Sequence, residues 1–194
     1  MDLAGLLLYS IVILITPGPN NLTMMYLSAR HGFRRASRFM WGSTLGITVK
    51  GLLCGLLNVF LTSFIPAVLP YMKWLGGFYM LYLAYVMLSA GFAAEEKEAK
   101  HGDEATFAAG ILLQCVNIKS WLGCLGMFVF VVPYTRAFSA IAAASVLNGA
   151  IMVLCTTAWG MSGVAFRRVY AEHRRAFSVL LAASLVFCAW SAVR

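Results

Sequence analysis

Lys119 stands out first among the residues able to do chemistry. It lies near the middle of a long apolar stretch, in the run Gln114-Cys115-Val116-Asn117-Ile118-Lys119-Ser120-Trp121. No acid falls inside any apolar stretch, because Asp2 and Glu172 are at ends or in loops and the rest lie between 95 and 104. An unpaired ammonium at bilayer depth either gives up its proton or finds an anion from outside the chain. The second option reads as a carboxylate on a substrate. A second polar interruption, Thr16-Pro17-Gly18-Pro19-Asn20-Asn21, breaks the first apolar run. Pro17 and Pro19 have no amide hydrogen, so the carbonyls of Ile13 and Ile15 lose their helical donors. Gly18 adds backbone freedom between them. A half-helix starting after Pro19 would present free N–H groups and a positive dipole end to a carboxylate. Asn20, Asn21 and Asn117 would bind the polar ends of the same ligand. The plainer alternative is a proline kink in an ordinary packed helix.

Lys50 is the third candidate. It sits about 11 residues from either end of its apolar segment, where an ammonium costs roughly 3 kcal/mol on insertion scales. It should face a cavity or a partner, unless its stem snorkels along a tilted helix to water. Catalysis has no such candidates. No span holds the acid, histidine or Ser/His pairing that general-base chemistry needs, so no catalytic residue is expected. The five cysteines (Cys54, Cys115, Cys124, Cys155, Cys188) all fall in apolar segments, without a CxxC and without a histidine beside them. Buried free thiols are expected, and neither a metal site nor a disulfide framework.

The elements that must position these groups are membrane helices. Of 194 residues, 61% are hydrophobic and 11% charged; a soluble domain carries nearer a quarter charged. Six segments reach the roughly 20 residues needed to cross a bilayer, near 3–27, 39–62, 68–91, 107–132, 137–162 and 176–193. The fold class is therefore all-α and polytopic, as a barrel would show short alternating strands. The first span lacks a basic leader and a small-residue cleavage site, and is expected to be retained.

The net charge of +8 is one-sided. Ten basic residues, including Arg30, Arg34, Arg35, Arg38, Arg167, Arg168, Arg174 and Arg175, lie in the first, third and fifth loops. Lys73, Arg136 and Arg194 lie opposite. The positive-inside rule then puts both termini outside the cytoplasm, and lipid head groups, not nucleic acid, account for the basic loops. Trp41 at the inner boundary and Tyr71, Trp74, Tyr134 and Trp190 at the outer one agree.

Gly42/Gly46 and Gly51/Gly55 in span 2 have the small-xxx-small spacing of close helix packing. Pro66 and Pro70 are read as bounding a short outer loop before span 3, whose Tyr79, Tyr82 and Tyr85 share one face. The Ala-rich fifth span and the sixth read as scaffold. An acidic linker at about 92–106 divides a single transmembrane domain (1–194) into halves of about 3–91 and 107–193, three spans each. An odd count inverts the second half relative to the first, and each half opens with a polar break, as in secondary transporters. The offsets differ, however: Asn20 is 17 residues into span 1 and Asn117 is 10 into span 4.

Thr16-Pro17-Gly18-Pro19-Asn20-Asn21, then His31-Gly32-Phe33-Arg34, then Gly42-xxx-Gly46, then Asn117-Ile118-Lys119 together resemble the successive motifs of the LysE/RhtB family of bacterial amino-acid exporters. The layout covers essentially the whole chain, and the Pro-Gly-Pro-Asn-Asn form is most similar to the branch that exports cysteine and O-acetylserine. The resemblance implies an inner-membrane exporter of a small neutral amino acid or derivative, working by alternating access around a midplane site. Two departures matter. Ile118 stands where the family's proline would force the break in span 4. Ile47 and Thr48 stand where many members carry an acid, so carboxylate-based proton coupling is not implied. Lys50 is no part of that pattern; its ammonium would stand in electrostatically for a bound cation. The partners expected are an amino-acid substrate and membrane lipid, with homodimerisation left open; no cofactor is expected. The rival class is a channel or structural membrane subunit, which would leave Lys119 and the Pro-Gly-Pro break without a role.

Overall fold

A computed structural model describes residues 2–92, 105–132 and 137–193, all of them helical or in short connections. The chain runs α1 (Leu3–Ile15), α2 (Pro19–His31), α3 (Phe33–Leu56), α4 (Asn58–Phe92), α5 (Phe107–Val116), α6 (Ile118–Met127), a 3₁₀ turn at Phe128–Phe130, α7 (Phe138–Ala165), α8 (Arg167–Glu172) and α9 (Arg174–Val193). Four of these helices are long and apolar enough to cross a bilayer alone. The pairs α1–α2 and α5–α6, the latter with its 3₁₀ turn, qualify together, bent by 55° and 72° at their breaks, which makes up to six spans if each bent pair is one. The protein is a polytopic all-α membrane protein, as its composition requires.

Both breaks fall at mid-span. α1 and α2 have 13 residues each, and α5 and α6 have 10 each. The offsets stay unequal, because α1 is three residues longer than α5 and Asn20 lies inside α2, past the break, whereas Asn117 sits at it. Other boundaries also move. α3 begins at Phe33 and ends at Leu56, six residues earlier at each end than the predicted 39–62. The turn into span 3 is at Leu57, and no loop separates Pro66 from Pro70, because α4 is continuous from Asn58 to Phe92. Each proline removes one ladder bond, but its fixed φ is already helical. The fifth basic loop is mostly helix, as α8. The acidic linker lies largely within 93–104, and Tyr134 and Arg136 within 133–136, outside the described residues.

Small residues set how closely the spans pack. Gly42 and Gly46 lie against α5, where an added Cβ at Gly42 would strike the Phe107 carbonyl and one at Gly46 would come within 2.9 Å of the Gln114 Cβ. Gly51 and Gly55 do the same against Ser145 and Ile141 of α7. Small-xxx-small packing on α3 is thus used twice, toward two different helices. Gly42→Val should therefore cost about 3 kcal/mol or more, because the obstruction is backbone and cannot rotate away. A lower melting temperature in detergent and reduced membrane abundance would register it.

The apolar core has two clusters. One gathers Met24, Tyr26, Phe39, Met87, Leu113 and Leu185; the other gathers Leu6, Cys54, Cys124, Met127, Phe128 and Met152. α2 and α5 feed the first, α1 and α6 the second, so both breaks lie at the join. Large apolar side chains such as Leu8, Trp74, Phe78, Tyr82, Tyr85 and Leu154 point outward. Of the three clustered tyrosines only Tyr79 packs on the core. Cys54, Cys124 and Cys155 are buried free thiols, while Cys115 is exposed, contrary to the expectation that all five are buried.

Candidate functional site

Each break releases carbonyls from the helical ladder, and at membrane depth these need new donors. Around span 1 most find them. The Ile13 carbonyl, deprived by Pro17, lies 3.2 Å from Thr16 Oγ1, whose single hydrogen has the Val12 carbonyl as its nearer acceptor. Leu14 O accepts from Asn21 Nδ2 at 2.8 Å. Ile15 O, deprived by Pro19, accepts from the Trp159 indole of α7 at 2.9 Å. Thr16 O takes Asn21 Nδ2 at 3.0 Å and Lys119 Nζ at 2.9 Å, and Pro17 O takes Lys119 Nζ at 3.3 Å. The helix resumes with Leu22 N donating to Gly18 O at 3.0 Å. That leaves the amides of Asn20 and Asn21 ahead of the ladder, at the positive end of α2.

Span 4 breaks more sharply although Ile118 has an amide hydrogen that could continue the helix. The carbonyls released there find donors elsewhere. In a regular helix Ile118 N would donate to Gln114 O, and Lys119 N to Cys115 O. Here the Lys50 ammonium, from α3, donates to Gln114 O. The Trp121 indole donates to Cys115 O at 2.8 Å. Asn117 ends α5 by donating to Leu113 O at 3.0 Å and starts α6 by accepting from Ser120 N and Trp121 N. With the helix interrupted, Asn117 and Lys119 no longer point to opposite sides. They line one cavity.

That cavity is small, about 30 Å³, and is lined by Gly18, Pro19, Asn20, Asn21, Asn117 and Lys119, with Thr16, Ile47, Gln114 and Ser120. Asn20, Asn21 and Asn117 are buried and Lys119 is half-buried. Pro17 borders instead a wider cleft of about 630 Å³ that shares Gly18, Pro19, Asn117 and Lys119 with the inner cavity. The cleft runs past Tyr9 and Cys188 to Lys73 and Ser191. Lys119 thus stands at the boundary between a narrow polar chamber and a roomier entrance. An added Cβ at Gly18 would come within 3.3 Å of Lys119 Nζ, a contact that a mobile side-chain end can relieve.

Lys50 is not in the lining. It is only 3% exposed, so it does not snorkel to water. Its ammonium bonds to Ser120 Oγ as well as Gln114 O and lies 4.8 Å from the centre of the Trp121 ring. From there a chain of polar groups crosses the molecule. Ser120 Oγ donates to Gln114 Oε1 at 2.6 Å, Gln114 Nε2 to Asn20 Oδ1 at 3.4 Å, and Asn20 Nδ2 to Asn21 Oδ1 at 3.4 Å. Gln114, Ser120, Thr16, Trp121 and Trp159 were not singled out as site residues from sequence. A buried amide and hydroxyl flanking the span 4 break were the signal for the first two. The described acids are elsewhere: Asp2 accepts from Gly5 N to cap α1, and Glu172 pairs with Arg168 at 3.1 Å.

Two interrupted spans that meet at a cavity carrying Lys119 and, among the described residues, no acid have the layout of a membrane transporter. The comparisons with known proteins agree. The LysE type translocator family matches residues 11–194, and the chain belongs to that family. The cysteine/O-acetylserine efflux proteins of Escherichia coli (strain K12) and of Shigella flexneri are each 32% identical to it over 182 residues, covering 93% of this chain and 92% of theirs. No solved structure matches. Family and apolar helices together make it a multi-pass protein of the bacterial inner membrane.

Proposed function

We propose that the protein exports a small neutral amino acid or derivative, of the cysteine or O-acetylserine kind, by alternating access across the inner membrane. The observation that carries this reading is the Lys119 ammonium, which meets the neutral carbonyls of Thr16 and Pro17 at the mouth of the inner cavity. A substrate carboxylate supplies the missing negative charge, held between Lys119 and the Asn20 and Asn21 amides at the start of α2. The side-chain amides of Asn20, Asn21 and Asn117 meet the substrate's remaining polar atoms. Pro17, Gly18 and Pro19 keep the span open for it.

Packing supports the expected inverted repeat. α3 packs against α5 and α6, and its counterpart α7 packs against α1 and α2. α3 also packs on α7, and α4 on α9. Those are the reciprocal pairs that a two-fold exchange of halves would generate, and such halves rock against each other around a midplane site.

The choice of solute, and efflux over uptake, rests on what the relatives are named for. Inside-out vesicles containing the protein should accumulate labelled cysteine or O-acetylserine saturably and show counterflow. Flux without counterflow would identify a channel, and no flux across an amino-acid panel would leave a structural subunit.

With both termini outside, the wide cleft faces the periplasm, since Lys73 and Ser191 belong to the termini end of the spans. A membrane-impermeant maleimide should then label Cys188 in right-side-out vesicles, and Cys188→Ser should remove that labelling. Labelling from the cytoplasmic face alone would reverse the orientation.

A further inference from the structure

The transport reading leaves Lys50 without a task, yet it is the most deeply buried charge described. Its surroundings are specific. The carbonyl of Gln114 belongs to the C-terminal end of α5, the negative end of that half-helix. Ser120 Oγ and the face of the Trp121 ring complete the ammonium's contacts. Its titratable neighbours are the thiols of Cys54 on α3, Cys115 on α5 and Cys124 on α6, with no carboxylate among them. Backbone carbonyls at half-helix C-terminal ends are where transporters with interrupted helices hold small cations.

We propose that the Lys50 ammonium is a resident cation occupying a latent monovalent-cation site at the span 4 break. The oxygens present are neutral, which suits one positive charge. A divalent ion would need carboxylates to offset it. The ammonium also satisfies the Gln114 carbonyl that the break at 118 releases. The polar chain through Ser120 and Gln114 to Asn20 connects this fixed charge to the inner cavity. The protein therefore works without a free cation, and shortening Lys50 makes it require one.

The test is the melting temperature of the purified full-length protein, compared in equal concentrations of N-methylglucamine chloride, sodium chloride and propylammonium chloride. N-methylglucamine is too bulky to enter, and propylammonium is the fragment that Lys50→Ala removes. Wild type should melt within about 1 °C in all three, whereas Lys50→Ala should fall by roughly 5 °C in N-methylglucamine and recover most of that with sodium or propylammonium. Equal melting of Lys50→Ala in all three salts overturns the proposal, as does stabilisation of wild type by sodium. If Lys50→Ala does not accumulate, the Ile118→Pro background deletes the amide that would re-close the helix, and the comparison is made there. The melting readout needs no substrate, so its failure and failure of the transport reading are distinguishable.

Discussion

Lys119→Met is expected to remove transport almost completely while leaving most of the protein folded in the membrane. The change keeps the stem's length and apolar character and deletes the charge. On the structural side the loss is limited. Thr16 O still accepts from Asn21 Nδ2, so Pro17 O is the carbonyl left without its donor. One such group costs about 1–3 kcal/mol, partly relieved here because Lys119 borders the open cleft. On the binding side the loss is larger. A carboxylate entering the cavity would lose its counter-charge, and leaving a buried charge unpaired costs roughly 3–5 kcal/mol. That corresponds to a fall of at least about a hundred-fold in transport efficiency. Initial rates normalised to protein abundance separate the two contributions. Near-normal rates in Lys119→Met would remove the residue from the site.

Asn21→Asp is expected to have an effect of similar size by the opposite route. The substitution is isosteric, so it changes hydrogen bonding and charge without changing packing. Asn21 Nδ2 donates to Leu14 O at 2.8 Å and Thr16 O at 3.0 Å. A carboxylate has no hydrogen to give and would set its oxygens against both carbonyls. It would also supply the acid that the cavity lacks. Lys119, which bonds to the same Thr16 carbonyl, would then gain an internal partner and compete with the substrate for it. Transport is expected to fall about a hundred-fold or more, with abundance reduced as well, since two hydrogen bonds are lost at roughly 1 kcal/mol each. Asn21→Asp with unchanged transport would show that the inner cavity takes no anion.

How far the sequence revealed this arrangement depended on whether the cause was local. The break in span 1 was legible because Pro17 and Pro19 abolish two amide donors wherever the chain goes. The partners of the freed carbonyls were not, since Trp159 reaches Ile15 O from 144 residues away. The break in span 4 was harder to read still. Ile118 permits a continuous helix, and the donors that satisfy the released carbonyls are Lys50, on another span, and the indole of Trp121. Lys50 could be placed at mid-depth by counting, but its acceptors could not. The same distinction explains the error at Pro66 and Pro70. A proline pair is a good local sign of a turn, yet the chain turns at Leu57 and the helix carries both prolines within it. The glycine spacings on α3 gave close packing correctly, without indicating that one pair would face α5 and the other α7.

The central claim is that a substrate carboxylate, not merely a polar solute, is held at the crossing of the two broken spans. It is tested most directly by competition during uptake of labelled cysteine into inside-out vesicles, with Lys119→Met vesicles as the blank. The competitors are 3-mercaptopropionate, which keeps the carboxylate and lacks the amine, and cysteamine, which keeps the amine and lacks the carboxylate. The site described here should be inhibited by 3-mercaptopropionate and be at least about tenfold less sensitive to cysteamine, the loss of one charge-assisted contact. Equal inhibition by the two, or stronger inhibition by cysteamine, would contradict it.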